Sequence, residues 1–254
     1  VRPYFLLRAR NIHPLKGLYP FLSKLILMKT YTHILFDLDH TLWDFEKNSA
    51  LAFEVILNTL GIGVDYNEYN SRYSVINAKY WKLYRDGHIT QHELRYGRLK
   101  DTFQELKYEV SEAILHEVSE EYIKLLPINS HLYDGTIEVL EYLKPKYSLH
   151  IITNGPHEVQ GKKLENANIS HYFKTITNSD LAGCKKPDAA IFEYALKAAN
   201  ADKATSIMIG DCIEADVQGA INCGLDAIYF NEHQLDAHPS ITQINHLLDL
   251  KQML

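Results

Sequence analysis

Polar and apolar positions along this chain follow two rhythms in succession. From about residue 47 to 126 the apolar positions recur every three or four residues, the period of a helix with one buried face. Ala50, Leu51, Phe53, Val55, Ile56 and Leu60 mark the first such segment, which Gly61 and Gly63 end. Tyr66, Tyr69, Tyr73, Ile76, Tyr80, Trp81 and Tyr84 mark a second, broken at Asp86-Gly87. Residues 90–106 and 111–126 are further helical segments, and Pro127 stops the last. After Pro127 short apolar runs at 149–153, 175–177, 206–209 and 227–230 predict strands. Helices are predicted between and after them, at 137–143, 157–167, 188–199, 214–222 and 241–252. One more apolar run, Ile34-Leu35-Phe36, precedes the first helix. Strands that alternate with helices imply a parallel sheet. The fold class expected is α/β, with a sheet domain over 28–44 and 128–254 and a small helical domain over 45–127 inserted after the first strand.

Residues 1–27 read differently. Arg2, Arg8, Arg10, Lys16 and Lys24 sit among apolar residues without any acidic residue. A basic start can open a signal peptide, but Pro14, Gly17, Pro20 and Lys24 interrupt every apolar run, and Leu25 to Met28 is far too short to span a membrane. Met28-Lys29-Thr30-Tyr31 looks like a natural start, so 1–27 is expected to be an upstream extension outside the core; an amphipathic membrane anchor is the alternative. The net charge of −6 over 254 residues argues against a general nucleic-acid binder. Cys184, Cys212 and Cys223 are too few for a disulfide framework and suit reduced thiols in the cytoplasm. Composition and spacing leave the oligomeric state open.

The candidate chemistry sits where strands end. Asp37 and Asp39 close the first strand two residues apart, so both project to one face. Adjacent carboxylates raise each other's pKa unless a cation stands between them, and hard cations such as Mg²⁺ take oxygen ligands. The alternative reading is an Asp-rich turn that caps a helix. Asp44, just before the helical pattern, is read as an N-cap. Thr153 and Asn154 follow the second strand, where a hydroxyl, an amide and backbone N–H groups can bind an anion, although Thr-Asn-Gly is also an ordinary turn. Lys186, before Pro187, follows the third strand; lysine suits phosphate, and exposed lysines are most often just solvated. Gly210-Asp211 ends the fourth strand, with Asp216 five residues on.

Together these resemble the haloacid dehalogenase superfamily, most of whose members are phosphatases. Asp37-Leu38-Asp39-His40-Thr41 matches its first motif, Thr153-Asn154 the second, Lys186 the third, and Gly210-Asp211 with Asp216 the fourth. His40 stands where glycine is more usual. The resemblance covers residues 31 to about 235 and implies a Rossmann-like core with a helical cap. It also implies a two-step reaction in which Asp37 is the nucleophile and Asp39 the general acid and base. Mg²⁺, or Mn²⁺ with the same donors, would be held by Asp37, the backbone carbonyl of Asp39, and Asp211. Thr153, Asn154 and Lys186 would hold the phosphoryl group, with Asp216 and Thr41 supporting them.

Within the superfamily, Leu42-Trp43-Asp44-Phe45, the Asp86-Gly87 break, Arg98 and the 210–220 segment look like the bacterial pyrimidine nucleotidases. This implies a nucleoside monophosphate as substrate rather than a nucleic acid polymer or a membrane. In the cap, Arg98 and Trp81 are the expected contacts to it, although aromatics at helical spacing also read as core. A sugar-phosphate or phosphoglycolate phosphatase is the runner-up. A dehalogenase has no use for an acid at Asp39, and a silent scaffold is disfavoured because Asp37, Asp39, Lys186 and Asp211 are all present.

Overall fold

Residues 30–254 are described in a computed structural model; the expected extension over 1–27 lies outside them. The sheet forms from short apolar runs. β1 (His33–Phe36), β2 (Ser148–Thr153), β3 (Phe173–Asn178), β4 (Ser206–Gly210), β5 (Asp226–Phe230) and β6 (Gln243–Ile244) pair in parallel in the order β3-β2-β1-β4-β5-β6. β1 is central, and Ile34, Leu35 and Phe36 have no exposed surface, as expected of a strand covered on both faces. One buried polar residue interrupts β2. His150 contacts His33 at 3.0 Å and Thr175 Oγ1 at 2.8 Å. Burial, then the neighbouring His33 and Lys174, lower its pKa to about 4, so it is neutral at pH 7.

Four helices lie between β1 and β2: α1 (Phe45–Thr59), α2 (Tyr66–Arg85), α3 (Gln91–Glu105) and α4 (Glu112–Leu125). Each begins at a side-chain cap: Asp44, Asp65, Thr90 and Ser111 accept from backbone N–H groups of the first turn. Two of the tyrosines at helical spacing, Tyr69 and Tyr73, are buried in their shared core. Phe53 stacks on Tyr122 with centroids 4.4 Å apart, and Tyr69, Tyr73 and Phe103 close around them. The helices α5 (Thr136–Leu143), before β2, and α6 (His157–Asn166) and α7 (Ala189–Ala199), after it, cover the sheet. All of Tyr31–Leu254 forms one compact unit. Among the described residues no helix is long and apolar enough to cross a membrane.

Two expected helices take other forms. Residues 241–252 form the edge strand β6, a turn over Leu247–Asp249 and a short helix over Leu250–Met253. Ile244, Leu247 and Leu250 are buried at a spacing of three, but Tyr229 N–H bonds Thr242 O and Asn231 N–H bonds Ile244 O, so the sheet edge claims the first part. The segment expected as a helix over 214–222 is a wide π-turn over Ile213–Gln218 followed by one α-turn over Gly219–Cys223. Widened turns of this kind concentrate at functional sites, and this one carries Asp216.

Candidate active site

Sheet order brings the candidate residues to one edge. β1 lies between β2 and β4, with Phe36 in register with Ile151 and Ile209. Asp37 therefore emerges between the ends of those strands, its N–H bonded to Ile209 O at 2.9 Å. The chain then turns sharply: the N–H groups of Leu42 and Trp43 both bond Leu38 O, and His40 adopts φ 63°. That left-handed backbone favours glycine, which accounts for the residue more usual at this position. The turn sets Thr41 Oγ1 3.4 Å from Asp37 Oδ2 and 3.3 Å from Asp211 Oδ1.

Lys186 is the hub. It is 2% exposed, and its Nζ donates to Asp37 Oδ1 at 2.5 Å, Asp216 Oδ1 at 2.7 Å and Ile152 O at 2.8 Å, which uses all three of its protons. Burial alone would lower its pKa, but Asp216 and Asp37 more than offset that and hold it charged. Asp216 Oδ2 accepts from Cys212 N–H at 2.9 Å. Gly210 makes room for this carboxylate, since a Cβ there would lie 2.4 Å from Asp216 Cγ. Burial, followed by the neighbouring carboxylates, raises the pKa of Asp37 and of Asp211, with Lys186 opposing.

The second-strand loop divides its work. Thr153 Oγ1 accepts from Gly155 N–H at 3.2 Å. The Asn154 side chain is engaged with Lys186, donating to its carbonyl at 2.9 Å and accepting from its N–H at 2.8 Å. It fixes the lysine's loop, and both Thr153 and Asn154 line the cavity.

That cavity, about 290 Å³, is walled by Asp37, Asp39, Lys186 and Asp211 and roofed by Asn77, Trp81 and Arg85 of α2. Trp81 also lines a second cleft of about 440 Å³, with Tyr84, His92, Tyr96 and Pro156. Arg98 reaches this cleft but is 5% exposed; it bonds Asn77 Oδ1 at 2.6 Å and lies over Tyr73 and Tyr122. Arg85, Gln160 and Lys163 are site residues that the motif reading does not include. The signal for the last two was available: polar positions three apart on the buried face of α6, beside Val159 and Leu164.

Carboxylate oxygens of Asp37, Asp211 and Asp216 lie within 4.8 Å of one another. Five carboxylates (Asp37, Asp39, Glu46, Asp211, Asp216) line the cavity against the cations Lys186 and Arg85, with Lys163 paired to Asp39 behind it. The surplus of negative charge and the all-oxygen donor set fit a hard divalent cation.

A family model for haloacid dehalogenase-like hydrolases matches residues 31–224, and the chain belongs to that family. In enzyme class it is thus a hydrolase, and named phosphatases are among its relatives. The chain is 31% identical to the pyrimidine 5'-nucleotidase PynA of Streptococcus pneumoniae, over 82% of this chain and 87% of that one. It is 30% identical to the glyceraldehyde 3-phosphate phosphatase of Pyrococcus abyssi, over 78% of this chain and 80% of that one. A magnesium-bound crystal structure of the HAD-hydrolase YfnB from Bacillus subtilis superposes with a TM-score of 0.81 at 27% identity, covering 89% of this chain and 99% of that one.

Proposed function

We propose that this hydrolase is a divalent-metal-dependent phosphomonoesterase that acts on nucleoside 5'-monophosphates, pyrimidine ones foremost. The observation that carries the reading is the buried Lys186 gripping Asp37 at the floor of a cavity that shares Trp81 and Asn154 with a neighbouring aromatic cleft. The floor suits a phosphoryl group, and the cleft suits a planar base.

In the first step an Asp37 oxygen attacks phosphorus, the P–O ester bond breaks, and the departing oxygen takes a proton from Asp39. Asp37 then carries the phosphoryl group and Asp39 is a carboxylate. In the second step Asp39 takes a proton from water as the water oxygen attacks phosphorus. The Asp37–phosphorus bond breaks, inorganic phosphate leaves, and both aspartates regain their starting forms. Lys186 and the backbone N–H groups after Thr153 offset charge on the phosphoryl oxygens. Asp37, the Asp39 carbonyl and Asp211 would hold Mg²⁺ or Mn²⁺, with Asp216 beside them. When bound, such an ion neutralises phosphoryl charge.

The helices over 45–127 act as a cap. Lys82 and Arg85 of α2 reach Glu214 in the π-turn at 3.2 and 3.6 Å, and Arg85 also lines the cavity. A cap of this kind excludes water and selects the leaving group. The archaeal relative favours a second reading, a small sugar phosphate as substrate.

Phosphate release with Mg²⁺ from dUMP, dTMP, UMP, glyceraldehyde 3-phosphate and 2-phosphoglycolate tests the assignment. The pyrimidine nucleotides are expected to lead by at least about tenfold in kcat/KM, the scale of discrimination that a shaped pocket supplies. A lead for the small phosphates would overturn the substrate while keeping the chemistry.

A further inference from the structure

The buried face of α6 carries two polar side chains that the reaction just described leaves without a task. Gln160 and Lys163 stand three residues apart and are 0% and 2% exposed. A lysine so buried needs a partner. Lys163 Nζ lies 2.5 Å from Asp39 Oδ1, and Gln160 Nε2 donates to Asp39 Oδ2 at 2.8 Å. Each oxygen of this carboxylate thus has its own donor, and both donors come from one helix.

The donors are themselves held. Gln160 Nε2 also reaches Thr153 Oγ1 at 2.7 Å and lies against Gly155, where a Cβ would come within 2.0 Å. The Lys163 ammonium sits over the Trp43 ring at 4.1 Å and the Phe45 ring at 5.4 Å, an attraction that adds to the ion pair. Trp43 in turn closes the turn that bears Asp39, accepting from His40 N–H and donating to Leu38 O. Asp39 and the cation that grips it are therefore locked to the same structure. Asp37, two residues earlier, is gripped by a different lysine, Lys186. The two aspartates have separate anchors, as their separate tasks require.

We propose that Lys163 and Gln160 are positioning residues for the proton-transfer steps: they hold both oxygens of Asp39 at the cavity wall, so that its carboxyl group stays within reach of the leaving oxygen and then of water. This deepens the phosphomonoesterase reading and rests on it. Without these donors the carboxyl group is free to rotate about the two side-chain bonds of Asp39, and rate follows the populated geometry.

Lys163→Met tests the idea with two esters. With a nucleoside monophosphate, whose leaving group needs a proton, kcat should fall about 100-fold, the scale of general acid–base catalysis, while KM changes little. With p-nitrophenyl phosphate, whose leaving group needs none, the first turnover should stay within about threefold of wild type. A slow steady phase should follow it, because hydrolysis of the aspartyl-phosphate still needs Asp39. Lys163→Arg, which keeps a cation, should recover about tenfold of the loss. Wild-type kcat in Lys163→Met, or first turnovers slowed equally on both esters, would overturn the proposal. Gln160→Met gives the same readout should Lys163→Met fail to fold. Asp37→Asn run alongside separates the two levels. A nitrophenolate burst from it would sink the aspartyl-phosphate reading and this proposal with it. A dead Asp37→Asn beside an unimpaired Lys163→Met would sink the proposal alone.

Discussion

Asp37→Asn is expected to lose turnover by at least about 10⁴-fold, as enzymes deprived of their nucleophile do, while melting no lower than wild type in chelator. The two halves of that result have one cause. Asp37 is buried beside Asp211 and Asp216, and burial and those carboxylates raise its pKa. In the metal-free protein its negative charge is a liability that Asn removes without changing shape. Lys186 keeps two of its acceptors, Asp216 Oδ1 and Ile152 O. Phosphate-release kinetics and a melting curve check both parts. Turnover within tenfold of wild type would mean that another group attacks phosphorus.

Lys186→Met should cost both activity and stability. Its ammonium is buried between Asp37 and Asp216, and removing one partner of a buried pair typically costs about 3–5 kcal/mol. For a chain of this size that lowers Tm by roughly 10 °C. Because the damage comes from carboxylates left without a counter-charge, adding Asp37→Asn should restore part of the lost stability. Melting curves of the single and double variants measure this coupling. Strict additivity would mean that Lys186 matters for its methylene packing rather than for its charge.

These two lysines show where the amino-acid sequence speaks and where it falls silent. Lys186 is legible because it sits next to Pro187 after a strand, in order with Asp37, Thr153 and Asp211, and strand ends in a parallel sheet converge on one edge. Lys163 belongs to no strand end. It reaches Asp39 from α6, and only its place with Gln160 on the buried face of that helix, beside Val159 and Leu164, marks it. The same contrast holds for the fold. The alternation of strands and helices predicts the parallel sheet from β1 to β5, because apolar runs bounded by turn residues have one good solution. Residues 241–252 have two, since apolar positions three apart serve a helix or, as here, an edge strand followed by a turn. Hydrogen bonding by β5 decides between them, and that information lies more than ten residues away. The π-turn over Ile213–Gln218 carries Asp216, which lies against Gly210 and accepts from Lys186, far back in the chain. His40 runs the other way. It departs from the motif's usual glycine, yet it takes the left-handed backbone that the glycine serves.

Trp81 lines both the cavity and the aromatic cleft, whereas Arg98 is largely spent within the helical core, on Asn77 and two tyrosine rings. Both residues expected to touch substrate line the aromatic cleft, and of the two Trp81 also lines the cavity.

Trapping the intermediate tests the central claim most directly. The protein is mixed with Mg²⁺ and its best nucleoside monophosphate, quenched in acid within one turnover, digested and read by mass spectrometry. One phosphoryl group on Asp37, absent from the Asp37→Asn protein, is the predicted result. Released phosphate with Asp37 unmodified at every quench time, or a phosphoryl group on another residue, would contradict it.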